Sequence, residues 1–184
     1  MNVVLIGMKH CGKSTVGRAL AGRWGCAFHD VDEMMENLHA CDSGRRQSVR
    51  EIFAEHGEAY FHRIEGHAVC ELYLKLDRPG STAVAALGGR TALNTTISRL
   101  LQPIGPVVYL RVPPEELFAR VERGGIPPFL DPRDPKGHFL RICNERAPEY
   151  ERLANLVIDL DRLSVAEAVE VLTRRLAEHR TSSA

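Results

Sequence analysis

Residues 7–15 read GMKHCGKST, and they directly follow the apolar run VVLI at residues 3–6. The phosphate-loop pattern G-x-x-x-x-G-K-[ST] is met by Gly7, Gly12, Lys13 and Ser14. This pattern requires a strand before it and a helix after it, and the flanking sequence predicts both. Glycines let backbone N–H groups point inward at an anion, and the helix start adds partial positive charge. The stretch therefore predicts a P-loop domain with a site for nucleotide phosphates.

The residues of the loop predict ATP with Mg²⁺ as the ligand. The Lys13 ammonium would reach the β- and γ-phosphates, and the Ser14 hydroxyl would bind the metal. Cys11 occupies a variable position, where it either has no further role or is a reactive thiol beside a helix N-terminus. The other loop residues expected to contact the nucleotide are Gly7, Gly12 and Thr15.

A pair of carboxylates follows the second predicted strand. Asp30 and Asp32 flank Val31 directly after residues 27–29. If the strand continues, side chains at i and i+2 project on the same side. Two carboxylates at the carboxyl end of a strand, beside a phosphate loop, suit metal binding through water and activation of an acceptor hydroxyl. The alternative is a solvated turn followed by a helix N-cap, which aspartate also favours.

Composition limits the class of protein. The 184 residues suit one domain, and the 24 basic and 24 acidic side chains give a net charge of zero, which argues against nucleic-acid binding. Five cysteines without a Cys-x-x-Cys argue against a disulfide framework and favour a reduced cytosol. The apolar run at residues 3–6 is too short for a signal peptide or a membrane span. We expect a cytoplasmic, monomeric protein that binds neither membrane nor nucleic acid.

Strand and helix patterns alternate along the chain, which predicts an α/β fold with a mostly parallel sheet. Predicted loops or breaks lie at residues 41–44, at Gly57 and Gly66, and over the irregular stretch 124–135, with a frayed tail at 181–184. The predicted strands span residues 3–6, 27–29, 82–87, 107–112 and 156–160. The predicted helices span residues 13–24, 32–39, 49–76, 91–101, 137–153 and a stretch after Ser164, with one more opened by Pro113-Pro114.

Several further motifs make the chain resemble the shikimate kinase family over nearly its whole length. They are IFAEHGE at residues 52–58, LGG at 87–89, PFL at 128–130 and RAPEY at 146–150. The resemblance implies a three-layer P-loop fold with a five-stranded parallel sheet and helices on both faces. It also implies a single domain over residues 1–184, with an acceptor-binding helical region at about 31–76 and a lid at about 123–137.

The resemblance implies transfer of the ATP γ-phosphate to a ring hydroxyl of shikimate, a step of aromatic amino acid biosynthesis. By position, Lys13 would stabilise the transferred phosphoryl group, Asp30 would bind the metal, and Asp32 would contact the acceptor hydroxyls as the candidate base. The remaining implied contacts are Gly88 and Gly89 with the substrate ring, Arg146 with its carboxylate, and Arg120 with adenine.

Three positions depart from the family pattern. His62 stands where the family has an arginine that helps to bind the carboxylate, and histidine lacks the bidentate fork of a guanidinium. Arg90 replaces a glycine, so that it either substitutes for the lost guanidinium or fills the acceptor pocket. Pro127 replaces the lid arginine. The basic residues that remain as candidates for the lid are Arg123, Arg133 and Lys136.

Each of these residues also has a plain interpretation: a half-exposed helix histidine, a solvated arginine at a helix start, and ordinary surface charge. Three functional hypotheses follow. The chain is a kinase of shikimate or a close carboxylated analogue, a kinase of another small hydroxylated acceptor, or a nucleotide-binding protein with little turnover. In the first two, the acceptor is a small and preferably anionic molecule.

Overall fold

The computed structural model describes residues 1–127 and 129–182. Pro128 of the predicted lid and residues 183–184 of the predicted frayed tail lie outside them. Within these ranges no helix is long and apolar enough to cross a bilayer.

The apolar run after the N-terminus forms the central strand of a parallel five-stranded sheet. Residues 3–6 are at most 1% exposed, because strands pack against the run on both edges and other elements cover both of its faces. The strands are β1 (Asn2–Ile6), β2 (Ala27–Asp30), β3 (Ala83–Ala86), β4 (Val107–Arg111) and β5 (Leu156–Asp159), in the order β2-β3-β1-β4-β5. The predicted fold class is confirmed.

Helices connect successive strands and cover both faces of the sheet. They are α1 (Lys13–Trp24), α2 (Val31–Ser43), α3 (Val49–Leu76), α4 (Thr95–Leu101), α5 (Pro114–Arg123), α6 (Pro135–Leu153) and α7 (Val165–Ser182). Short 3₁₀ turns at Thr91–Leu93 and Gln102–Ile104 flank α4. This arrangement brings the carboxyl ends of β1, β2 and β3 to the edge of the sheet where the loops after them meet.

The second strand ends at Asp30 and α2 begins at Val31, within one residue of the predicted helix start, so the condition that would have placed Asp30 and Asp32 on one side of a strand is not met. Other local predictions were wrong. Helix α2 runs through 41–43, predicted as a loop, and ends only where Gly44 adopts φ 72°. Helix α3 kinks at Gly57 (φ 76°) as predicted but continues through Gly66, where a glycine costs a helix only about 1 kcal/mol. Residues 181–182 extend α7 instead of fraying.

Candidate active site

A pocket of about 400 Å³ opens at the carboxyl ends of β1, β2 and β3. Eight of the predicted site residues line it, and they are Gly12, Lys13, Ser14, Thr15, Asp30, Asp32, Gly89 and Arg120. The sequence separates these residues by more than 100 positions, and the strand order of the sheet brings them together. The pocket therefore joins the phosphate loop, the carboxylate pair and the turn after β3 in one cavity.

The phosphate loop has the backbone that its glycines predict. Gly7 adopts φ 141° and Gly12 adopts φ 99°, and residues that carry a Cβ rarely adopt these values of φ. A Cβ at Gly7 would lie 2.7 Å from the carbonyl oxygen of Leu110, so the loop can pass the end of β4 only with a glycine there. The buried Lys13 ammonium donates to the carbonyls of Gly7 (3.0 Å) and Met8 (2.9 Å). The lysine thus lies across the loop that the nucleotide phosphates would enter.

Asp30 connects the loop to the start of α2. The Ser14 hydroxyl donates to Asp30 Oδ2 at 2.5 Å, and the Asp32 backbone N–H donates to Asp30 Oδ1 at 3.0 Å. Asp30 is therefore the N-cap of α2 and the partner of Ser14 at the same time, so the two interpretations of its sequence position are compatible.

The donor set suits Mg²⁺ better than a metal held by protein alone. Over the described parts of the chain, no group of three or more His, Cys, Asp or Glu side chains could hold a metal ion. One hydroxyl and one carboxylate at the phosphate loop fit an ion that takes its other ligands from water and phosphate oxygens. These residues fit Mg²⁺ bound together with a nucleotide.

Asp32 lies in the first turn of α2 and faces the pocket. Burial raises the pKa of its carboxyl, the Asp30 charge raises it further, and the positive charges of Lys13 and Lys9 oppose both effects. A Cβ at Gly88 would lie 2.9 Å from Asp32 Oδ1, so the turn after β3 packs against this carboxylate. A carboxylate that is partly desolvated in this way has the properties of a general base.

The turn that contains Gly88 and Gly89 is held from two sides. The fully buried Tyr150 of α6 donates its hydroxyl to the Gly89 carbonyl. On the other side, the Thr91 hydroxyl donates to Glu65 of α3 at 2.7 Å. The backbone of the turn is therefore fixed relative to α3 and α6.

His62 and Arg90 contact the same acidic side chain outside the pocket lining. His62 Nε2 lies 3.4 Å and Arg90 Nη1 lies 3.9 Å from Glu58 Oε1. His62 Nδ1 also lies 3.1 Å from Glu65 Oε2. Because the Arg90 side chain is 64% exposed and does not line the pocket, it does not fill the cavity.

Arg146 and Arg120 occupy different environments. Arg146 is half-buried on α6, one turn before Tyr150, where its charge acts against the burial that raises the pKa of the Tyr150 hydroxyl. It does not line the pocket. Arg120 does, and its guanidinium donates to the His10 carbonyl at 3.0 Å and pairs with Glu116.

Sequence reasoning missed two residues of this region. Lys9 lines the pocket from within the phosphate loop. The sequence could have indicated it, because Lys9 is a basic residue at a variable position of the motif, in addition to Lys13. Tyr150 was noted only as part of the RAPEY motif, because its partner Gly89 lies 61 positions away and no local pattern identifies it.

The sequence of this chain is similar to those of known shikimate kinases. A family model described as "Shikimate kinase" matches residues 9–177. The shikimate kinase of Symbiobacterium thermophilum is 35% identical over 180 residues, covering 97% of both chains. That of Thiobacillus denitrificans is 34% identical over 175 residues, covering 95% of this chain and 90% of the relative.

Solved structures agree with the sequence matches. Shikimate kinase from Acinetobacter baumannii in complex with shikimate superimposes with a TM-score of 0.78 at 28% identity, covering 96% of this chain and 93% of the other. The Aquifex aeolicus enzyme gives a TM-score of 0.75 at 27% identity, covering 96% of each chain. A gluconokinase from Sinorhizobium meliloti, at 18% identity and a TM-score of 0.58, shares the fold alone and covers 100% of this chain and 97% of its own.

Proposed function

Because the chain belongs to the shikimate kinase family, a family of ATP-dependent phosphotransferases with an alcohol acceptor, we propose that it transfers the γ-phosphoryl group of ATP to a ring hydroxyl of shikimate. The observation that carries this proposal is the convergence of Lys13, the Ser14–Asp30 pair and Asp32 on one pocket. Such a cavity brings a phosphate site within reach of a carboxylate that can accept a hydroxyl proton.

The phosphate loop supplies the donor side. Backbone N–H groups of the loop and the Lys13 ammonium would surround the phosphates, and Ser14 and Asp30 would hold Mg²⁺, which neutralises phosphate charge when bound. In this structure Lys13 donates to two loop carbonyls. Phosphate oxygens would replace these neutral acceptors, because a hydrogen bond between an ammonium and a charged oxygen is stronger. Arg120 would flank the adenine, which its place in the pocket lining beside the His10 backbone supports.

Asp32 supplies the acceptor side. Its carboxylate would orient the attacking hydroxyl and take its proton as the new O–P bond forms and the bond to the β-phosphate breaks, with ADP as the leaving group. Burial and the neighbouring Asp30 make Asp32 a better proton acceptor than an exposed aspartate, since both raise its pKa. The adjacent Gly88 packs closely against Asp32, and we expect the ring of the acceptor to approach the backbone of Gly88 and Gly89.

We propose that helices α2 and α3 form the acceptor-binding region and that residues 123–137 act as a lid. Arg50 at the start of α3 donates to the carbonyl of Ile126 at 3.4 Å, so the segment already rests against this region. Leu130 is buried, which anchors the far side of the segment. Closure over the pocket would exclude water and limit hydrolysis of ATP.

A coupled ADP-release assay with millimolar shikimate tests the function. We expect shikimate-dependent turnover in the unmodified protein and none in Lys13→Ala. Lys75→Ala on the surface of α3 is the matched control, since Lys75 lies outside the pocket and pairs with Glu71 of the same helix at 3.2 Å. The absence of any stimulation by shikimate would reject this acceptor.

A second candidate function is phosphorylation of a different small hydroxylated acceptor. The specific observation in its favour is that His62 and Arg90 both contact Glu58, so the charge pattern beside the acceptor region differs from that of the family. A screen of hydroxylated acids and sugars with radiolabelled ATP tests it, and a labelled product with an acceptor other than shikimate would support it. ATP binding without transfer to any acceptor would instead indicate a nucleotide-binding protein.

ATP as the donor and five free cysteines support a cytoplasmic location, which fusion to a fluorescent reporter would test. Size-exclusion chromatography with light scattering would test the prediction of a monomer.

A further inference from the structure

Three strong cations line the pocket, and two of them are already engaged. The Lys13 ammonium donates to the carbonyls of Gly7 and Met8. The Arg120 guanidinium donates to a loop carbonyl and pairs with Glu116. Lys9 is exposed, and over the parts of the chain that the structure describes its ammonium makes neither a hydrogen bond nor an ion pair. Lys9 can therefore move to a ligand without breaking a contact.

The backbone of Lys9 packs against the turn after β3. A Cβ at Gly89 would lie 3.3 Å from the backbone nitrogen and 3.9 Å from the Cβ of Lys9. The other glycine of the same turn, Gly88, packs against the Asp32 carboxylate. Lys9 thus lies where the phosphate loop packs against the turn after β3, and the same turn packs against the Asp32 carboxylate.

The positive charge of Lys9 acts on another residue that lines the pocket, His10. Burial lowers the pKa of His10, and the charges of Lys9, Lys13 and Arg120 lower it further. The pocket is strongly cationic on its loop side, as a site for a polyanion would be.

The basic residues of the lid segment are less well placed. Arg123, Arg133 and Lys136 are all exposed, and none of them lines the pocket. Arg123 donates instead to the carbonyl of Ala119 in its own helix at 3.3 Å. A cation supplied by the phosphate loop itself is therefore the nearer source of charge for a group moving between ATP and Asp32.

We infer that Lys9 is a catalytic residue whose ammonium binds the oxygens of the phosphoryl group during transfer, together with Lys13. This inference rests on the proposed function. A phosphoryl group in transfer carries charge on its equatorial oxygens, and fixed cations that meet this charge lower the barrier. Lys9 lines the pocket together with Lys13 and Asp32, and within the described ranges its ammonium has no partner to give up.

The test compares Lys9→Met, which removes the charge and keeps the length, with Lys9→Arg, which keeps the charge. We expect Lys9→Met to lower kcat by about 100-fold, with the KM values for ATP and shikimate changed by less than about threefold. We expect Lys9→Arg to retain kcat within about tenfold. Lys75→Met, at an exposed lysine outside the pocket, is the control and should match the unmodified protein.

The split between kcat and KM provides a readout that a structural role would not produce. Loss of a contact made only during transfer lowers kcat and leaves the KM values unchanged, whereas a disturbed pocket would raise the KM values as well. An unchanged kcat in Lys9→Met, or an effect confined to the KM for shikimate, would overturn the inference. Absence of shikimate-dependent turnover in the unmodified protein would instead reject the proposed function, so the two failures are distinguishable.

Discussion

The hydroxyl of Tyr150 donates a hydrogen bond to the carbonyl oxygen of Gly89 and so joins α6 to the turn after β3. The tyrosine is fully buried, and burial raises the pKa of its hydroxyl, which keeps it protonated and able to donate. The same hydroxyl lies 3.8 Å from the sulfur of Met8 in the phosphate loop. One side chain thus connects the helix after the lid segment, the turn beside Asp32 and the phosphate loop.

Tyr150→Phe should weaken acceptor binding more than nucleotide binding. The variant removes one oxygen and leaves the Gly89 carbonyl without its donor, which costs about 1–3 kcal/mol. We expect the KM for shikimate to rise roughly tenfold, since 1.4 kcal/mol corresponds to a factor of ten, with a smaller change for ATP. Steady-state kinetics with each substrate varied in turn measures this split.

Tyr109→Phe is the matched control for that experiment. Tyr109 is also buried, its ring lies 5.1 Å from that of Tyr150, and burial raises its pKa to about 12. Within the described ranges its hydroxyl has no hydrogen-bond partner, so its removal should leave both KM values unchanged. Equal effects of the two variants would show that the Tyr150–Gly89 bond does not position the turn.

The parts of the fold that depend on neighbours in sequence were predictable. Helix α1 spans Lys13–Trp24 as predicted, and α3 begins at the predicted Val49, where Ser48 and Glu51 form a capping box, a pattern of residues three apart in sequence. The phosphate loop followed from its motif, because strand, glycines and helix lie within about a dozen residues.

Features that depend on distant contacts or competing local preferences were not predictable. The Tyr150–Gly89 bond joins residues 61 positions apart. At Asp30, the sequence left open whether the carboxylate belongs to the site or caps a helix, and the structure shows that it both contacts Ser14 and accepts the Asp32 N–H as the N-cap. The contact between Lys9 and the turn after β3 likewise joins residues 80 positions apart.

Asp32→Asn should stop transfer and stabilise the protein at neutral pH. The pKa of Asp32 is higher in the folded chain than in the unfolded one, so ionisation at neutral pH costs folding free energy. The amide removes this cost, and each kcal/mol gained raises Tm by about 2–4 °C in a chain of this size. The gain should shrink as pH falls through the folded pKa, because the aspartate then takes up its proton.

Thermal unfolding of both forms across the acidic to neutral range measures this difference, while calorimetry with ATP checks that nucleotide binding is retained. A large loss of nucleotide affinity in Asp32→Asn would indicate a role with the metal instead of the acceptor. A variant with turnover intact would contradict the assignment of Asp32 as the base.

Asp30→Asn should raise the Mg²⁺ requirement without unfolding α2. Asparagine caps a helix as well as aspartate does, so the bond from the Asp32 N–H can be kept while the charge beside Ser14 is lost. We expect the Mg²⁺ concentration for half-maximal velocity to rise roughly 10- to 100-fold. Glu33→Gln is the control, since Glu33 is exposed in the same helical turn and pairs with Arg18. An unchanged Mg²⁺ dependence in Asp30→Asn would remove Asp30 from the metal site.

The last prediction concerns Arg90 and His62, which both lie beside Glu58. Arg90 and His62 both contact Glu58 Oε1, so a guanidinium at either position reaches the same side of the acceptor region. If Arg90 binds the acceptor carboxylate, Arg90→Ala should raise the KM for shikimate by about tenfold or more, because a charge-assisted hydrogen bond contributes about 1.5–3 kcal/mol. In the double variant, His62→Arg should restore much of that loss, since it places the bidentate fork on α3.

Arg99→Ala, at an exposed arginine of α4, is the control for the loss of positive charge alone. Shikimate kinetics of the two single variants and the double variant give a thermodynamic cycle, and coupling between Arg90 and His62 is expected because both lie beside Glu58. A lower KM in Arg90→Ala would mean that Arg90 obstructs shikimate. That outcome, together with labelled product from another acceptor, would favour the second candidate function, because the guanidinium would then select against shikimate.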